Sequence, residues 1–271
     1  LFDKDTSDMS YEELGEITGF GLVPVKPEGT DSVLDTEQQG TITRATHVAY
    51  SLGFKVTYEE IKFNKYMQVA KQRTKRLAFS FRQTKETTLA NLYNRAHNGS
   101  YTFGDGSAMC VTSHTTLNGT QSNTLASAAD ASETTIEDMW TQISTAKNSR
   151  GLTIGLKPKS IIAPPALIPE LTRIVKSTQQ NDTPNNAINA INSMNMFPEG
   201  VKMNQFLTDT DSFFIRTNVP SGSGLICFQA EEATFDQDND FPSKDFCARG
   251  YELYVGTIGD FRAIYSNGGG A

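Results

Sequence analysis

Little in this chain suits metal or redox chemistry. Among 271 residues there are three cysteines, three histidines and one tryptophan. Cys110, Cys227 and Cys247 are far apart and odd in number. They match neither a zinc spacing nor a disulfide framework, and buried thiols in a reducing compartment are the expectation. His47, His97 and His114 are scattered, without the spacing of a helical metal site. No apolar run reaches the roughly 18 residues of a membrane span. Apolar residues make up 37% and charged residues 20%, so the chain is neither grossly disordered nor membrane-like.

Motifs that carry chemistry are equally thin. Asp236-Gln237-Asp238-Asn239-Asp240 starts like a calcium loop, but Phe241 and Cys247 stand where that loop needs Gly and Glu, so a polar turn is expected. Gly104-Asp105-Gly106 lacks the Lys-Ser/Thr partner of a phosphate loop and reads as a tight turn. Ser113 and His114 are adjacent, a poor geometry for a nucleophile and its base, and no G-x-S-x-G elbow surrounds them. A hydrolase using Ser113 or an Asp cluster therefore lacks a recognisable base. The expectation is a protein with no catalytic residues, no cofactor and no metal.

What is present is length. From Ile42 to Val56 the even positions are mostly apolar: Ile42, Val48, Tyr50, Leu52, Phe54 and Val56, with Thr46 among them and Arg44 the charged break. That period of two predicts a strand. Extended throughout, it would reach roughly 50 Å. From Tyr58 to Asn98 neither Pro nor Gly occurs. Phe63, Tyr66, Met67, Ala70, Leu77, Ala78, Phe81, Leu89, Leu92 and Ala96 recur at helical spacing, which predicts a spine of roughly 60 Å. Elements of this length suggest an elongated tile that buries its surfaces against neighbours.

The net charge is −7, but it is uneven. Acidic residues crowd the first 40 positions, while the long helix carries Lys62, Lys65, Lys71, Arg73, Lys75, Arg76, Arg82, Lys85 and Arg95. Three readings stay open: a solvated face, a nucleic-acid surface, or a seat for the acidic arm of another copy.

Residues 1–16 are acidic and weakly amphipathic, with Tyr11, Leu14 and Ile17 spaced for one or two helical turns. Residues 17–57 read as an exposed hairpin with Pro24 and Pro27 near its edge and a polar tip. Ser132 opens a second helix with the face Ile136, Met139, Trp140 and Ile143. Leu156–Ala163 is a strand closed by Pro164-Pro165, and Pro169 begins a helix bearing Leu171, Ile174 and Val175. Asn181–Met194 is a short helix or loop. Short strands follow at 200–207, 212–217 and 225–230, and alternation resumes over 246–265. Strands and helices mixed without a regular βαβ rhythm indicate α+β.

Three stretches then carry a family resemblance. Gly104–Asn123 (GDGSAMCVTSHTTLNGTQSN) resembles the Gly-Asp-Gly … Ser-His … Asn segment of the Mu-like major head proteins, phage capsid proteins of the HK97-type fold. Leu156–Thr178 resembles their strand, Pro-Pro turn and helix. Ala248–Gly269 resembles their closing strand, with Phe261 in Asp260-Phe261-Arg262 where Trp is usual. The resemblance implies a major capsid protein with an N-terminal arm (1–16), an extended loop (17–57), a peripheral domain (58–155 and 231–271) and an axial domain (156–230). It also implies hexamers and pentamers closing an icosahedral shell around double-stranded DNA, with portal and scaffold or decoration partners, no membrane, and assembly in the host bacterial cytoplasm.

Candidate interface residues are Phe20, Leu22, Val25, Tyr50, Leu52 and Phe54 on the hairpin, with Lys71, Arg73, Lys75 and Arg76 receiving a neighbour's acidic arm. Deleting residues 22–50 is expected to leave a folded subunit that assembles poorly. The alternative is a nucleic-acid-binding structural module using the basic helix 62–95.

Overall fold

Two glycines explain how the spine meets the sheet. The computed structural model describes residues 1–63, 66–180, 187–219 and 223–268, with 66–70 described by backbone alone. Lys65 of the predicted spine and Asn181–Asn186 lie outside the described residues, as do the side chains of Tyr66, Met67 and Ala70. The spine consists of α1 (Tyr58–Phe63) and α2 (Tyr66–Asn94). A Cβ on Gly250 would stand 2.6 Å from the Phe81 ring, and one on Gly256 would stand 2.6 Å from Leu89. Both glycines lie on β11 (Phe246–Ile258), which forms a long antiparallel hairpin with β10 (Leu225–Asn239). Their missing side chains let α2 lie directly on the strand.

This sheet has the order β1-β10-β11-β4, with β4 at Val48–Val56 and β1 at Asp3–Thr6. β1 runs parallel to β10 and covers only Ile226–Gln229. Beyond that point no strand among the described residues pairs with the outer edge of β10, and residues 231–239 are exposed throughout. Asp236 and Asp238 therefore sit on a strand, not in the expected polar turn, which spans 240–245 instead.

The second sheet has the order β12-β9-β7-β8: Ile264–Ser266, Phe214–Thr217, Pro158–Ala163 and Val201–Met203. β7 is covered on both faces, which is why its second half, Ile161-Ile162-Ala163, reads as an apolar run rather than an alternation. Ile161 joins a core with α3 (Glu133–Ser144), α4 (Ile168–Lys176) and α5 (Ala190–Ser193). Its neighbour Ile162 joins another with Tyr93, Cys110, Phe214, Leu225 and Ile258. The Ser132 side chain caps α3, whose buried residues include Ile136, Met139 and Ile143. That face lies in the same core as α4, although it was assigned with 58–155 by sequence. Likewise the 230/231 boundary runs through the middle of β10.

The N-terminal part departs from expectation. Residues 11–18 form β2 (Tyr11–Thr18), not helical turns, and pair antiparallel with β3 (Gln38–Thr46). A helix of a turn or two is marginal in water, whereas β3 pairs with the segment along nearly its whole length. The predicted single strand Ile42–Val56 is in fact two, divided at His47: β3 pairs with β2, and β4 pairs with β11. Each half follows a different partner. On β3 the expected inward set is reversed, with Thr43 and Ala45 buried and Ile42 and Thr46 exposed. β5 (His114–Thr116) and β6 (Gly119–Gln121) form a small hairpin. Cys110 and Cys227 are buried, Cys247 is half-buried, and all three are free.

Candidate functional site

Between β2 and β3 the chain makes an excursion, residues 19–37, without helix or strand. It carries Phe20, Leu22 (81% exposed) and Val25 (94% exposed), three of the residues expected to face a neighbour. Val23, Val33 and Leu34 join them and are equally open. Sequence reading missed Val33 and Leu34 because Thr30, Asp31, Ser32 and Asp35 around them read as a polar tip. Large apolar side chains this exposed make the excursion a candidate interaction surface.

The excursion is tied at its root. Asp35 accepts from the Gly21 backbone N–H at 2.8 Å and from Arg150 Nη1 at 2.5 Å, and Arg150 also donates to the Thr36 carbonyl. The Gly21 amide and the Arg150 guanidinium hold the Asp35 carboxyl below the ordinary range. On β2 and β3, Glu13 pairs with Arg44 at 2.7 Å, and Arg44 stacks over Tyr11.

The remaining hairpin candidates lie on β4, and the structure places them differently. Tyr50 stacks on Tyr254 with ring centroids 4.6 Å apart, so much of its surface is engaged within the chain. Phe54 is half-buried, and Leu52 is 52% exposed. Of the basic candidates, Lys71, Lys75 and Arg76 are exposed on α2. Arg73 instead turns inward, bonding Glu60 at 2.8 Å and reaching the Lys55 carbonyl.

Below the arm, three sequence motifs converge. His114 is 1% exposed and stacks on Phe261 with centroids 4.1 Å apart. Its Nδ1 lies 2.6 Å from Asp105 Oδ2, and its Nε2 lies 3.0 Å from Asn123 Oδ1. The Asn123 amide orientation is set by its donors and acceptors: Oδ1 accepts from Val111 N–H, while Nδ2 faces the carbonyls of Met109, Phe261 and Ile264. Burial opposes ionisation of Asp105, but the hydrogen bonds from His114 and Ser107 outweigh it, and the carboxyl is held below its ordinary value.

Arg262, 2% exposed, is a buried cation close by. It reaches Glu16 at 3.2 Å, Asp260 at 3.1 Å and the Lys147 carbonyl at 2.8 Å. Glu16 also accepts from Ser149. Burial pushes the Asp260 carboxyl up, against the pull of Arg262. Gly104 completes the joint: its N–H donates to Thr43 Oγ1 at 3.1 Å, and a Cβ there would stand 2.5 Å from the Ile42 carbonyl oxygen.

This arrangement positions the arm and performs no evident reaction. Both nitrogens of His114 are occupied by Asp105 and Asn123, which leaves none to activate the exposed Ser113. Among the described residues no group of three or more His, Cys, Asp or Glu is placed to hold a metal, and no helix is long and apolar enough to cross a membrane.

A family model described as phage capsid protein matches residues 40–267. No curated protein sequence matches the chain. Among solved structures, the capsid of a native GTA particle aligns at 9% identity over 98% of this chain and 86% of that chain, with a TM-score of 0.59. The capsid of cyanophage P-SCSP1u aligns at 9% identity over 98% and 85%, with a TM-score of 0.52. The capsid of Myoviridae phage XM1 aligns at 10% identity over 98% and 88%, with a TM-score of 0.51. At these identities the similarity is one of fold.

Proposed function

The chain belongs to the phage capsid protein family, and from that premise we infer that it is a major capsid protein whose copies build an icosahedral shell. It is a structural component of the virion, not an enzyme, and its fold is the HK97-like α+β fold. The observation that carries this reading is the family match, which spans the spine, the whole second sheet and every strand of the first except β1.

The arm supplies the means of assembly in our proposal. Phe20, Leu22 and Val25, with Val23, Val33 and Leu34, cover apolar surface on an adjacent copy, and Leu52 lies at the margin of that contact. At about 25 cal/mol per Å², burying about 1,000 Å² of apolar area contributes on the order of 25 kcal/mol before the costs of association. Repeated at every neighbour, even a small surplus holds a shell. The tie of Asp35 to Arg150 and the buried Glu16–Arg262 contact support an arm presented in a fixed direction rather than a floppy tether.

The division into N-terminal arm, extended loop, peripheral domain and axial domain is part of the same proposal. α3 is counted on the axial side, because its buried face shares a core with α4, and β10 passes from one part to the other. Capsomers of six and five copies, a portal, scaffold or decoration proteins, packaged double-stranded DNA on the inner surface and assembly in the host cytoplasm complete the picture.

Negative-stain imaging of the purified chain tests the reading. Closed particles of uniform diameter are expected. Soluble subunits that bind DNA with a steep salt dependence and form no particles would favour the nucleic-acid module instead.

A further inference from the structure

We propose that the exposed basic face of α2 docks onto the open acidic edge of β10 in a second copy of this chain. The inference rests on the shell-forming reading and names a contact within it. Lys71, Lys75 and Arg82 are spaced i, i+4 and i+11, so they share one face of the helix, flanked by Arg76 and Phe79. All five are exposed, and the four cations have no ion-pair partner among the described residues. Glu86 is the carboxylate on that face. The opposite side of the helix carries Leu77 and Phe81, both buried, with Phe81 against the sheet.

The counterpart is on the sheet. Phe235 is paired with Gly250 and touches Phe81, so it faces the helix. Thr234, Asp236 and Asp238, which alternate with it, face the other way, and Glu231 pairs with Leu253 on that same face. Glu232 sits beside them in an irregularity of the strand, and all four carboxylates are exposed. Of these, Asp236 alone has an ion-pair partner among the described residues, and that contact is long and exposed. Lys55 is held by Asp240 and Asp245, and Arg249 reaches Asp236 only at 3.9 Å. A charged, unpaired edge of this kind deters random strand pairing while remaining open to a chosen partner.

Basic helix face and acidic strand edge thus lie on opposite sides of one sheet and cannot meet within a single chain. Between chains they meet head to tail, the arrangement that closes into rings. Their lengths are comparable: about 17 Å from Lys71 to Arg82 along the helix and about 23 Å from Glu231 to Asp238 along the strand. Half of the ten carboxylates in the first 40 residues are already engaged, which makes that stretch the poorer counterpart. Asp3 is paired with Arg216, Glu12 bonds Ser7, Glu13 is paired with Arg44, Glu16 with Arg262 and Asp35 with Arg150.

A charge swap tests the proposal. One variant carries Lys71→Glu, Lys75→Glu and Arg82→Glu; another carries Glu231→Lys, Asp236→Lys and Asp238→Lys; a third combines all six. Particle yield is measured by light scattering at low salt, and folding by circular dichroism. Each triple variant is expected to lose at least about tenfold in yield, because like charges then face each other, and the combined variant is expected to recover most of it. Folded triples that assemble like wild type overturn the proposal, as does a combined variant that stays folded and assembly-poor. Loss of DNA association alone in the helix variant also overturns it and points to phosphate as the partner. If a triple fails to fold, Lys75→Glu and Asp236→Lys, singly and together, give the same comparison. Absence of particles from the wild-type chain defeats the shell reading itself, a result distinct from every variant outcome.

Discussion

Asp105 shows how a single carboxylate makes the stability of the fold depend on pH. Its folded carboxyl titrates below that of an ordinary Asp, because His114 and Ser107 hold the charged form against the cost of burial. A carboxyl lowered on folding adds stability above its unfolded value, near pH 4, and loses it as pH falls through the folded value. Asp260 has the opposite sign: burial raises its carboxyl, so its contribution is present at low pH and fades as pH rises. Asp105→Asn is therefore expected to flatten the decline of melting temperature as the pH falls below about 4. Thermal unfolding followed by circular dichroism across that range checks this, and curves that stay parallel to wild type would contradict it. Asp105, His114, Asn123 and the Asp260-Phe261-Arg262 triplet were all visible in the sequence as motif letters. Their meeting was not, since Asn123 binds the Phe261 and Ile264 carbonyls from far away along the chain. Local pattern carries no trace of such a contact.

At the scale of elements, legibility follows how local the determinants are. α3 and α4 stand where the sequence placed them, because Ser132, Pro169 and the apolar spacing act within a turn or two. The break at His47 was invisible, because it depends on β2 and β11 claiming different halves of one alternating run. β2 reads as helical turns in the sequence for a related reason: Tyr11, Leu14 and Ile17 fit a helical spacing, while the partner that decides the matter begins at Gln38. The seat of α2 on the sheet rests on absent side chains. Gly250→Ala places a methyl carbon against the buried Phe81 ring and is expected to cost about 1–3 kcal/mol through overpacking. Denaturant unfolding measures it, and a variant as stable as wild type would show that the helix shifts freely. The proposed deletion of residues 22–50 also needs correction at this scale. It removes β3 and the start of β4, and β4 is hydrogen-bonded to β11 from Val48 onward, so loss of assembly there would be confounded with loss of fold. Replacing only residues 22–34 spares every strand and leaves Asp35 to its partners.

The whole molecule has surfaces that a lone chain has no reason to keep: an apolar excursion in solvent, an unpaired basic helix face and an open acidic strand edge. Length and charge asymmetry announced this in the sequence, and the fold gives it direction. The arm is anchored to the core through Glu16, Thr43 and Asp35, and opposite charges lie on opposite sides of the β1-β10-β11-β4 sheet. The central claim is that copies of this chain close into a shell through the arm excursion. Sedimentation velocity and electron microscopy of the chain with residues 22–34 replaced by a short Gly-Ser linker test it most directly, with the melting temperature as control for folding. The account predicts an unchanged melting temperature and subunits or small oligomers in place of shells. Normal shells from that folded variant would contradict it.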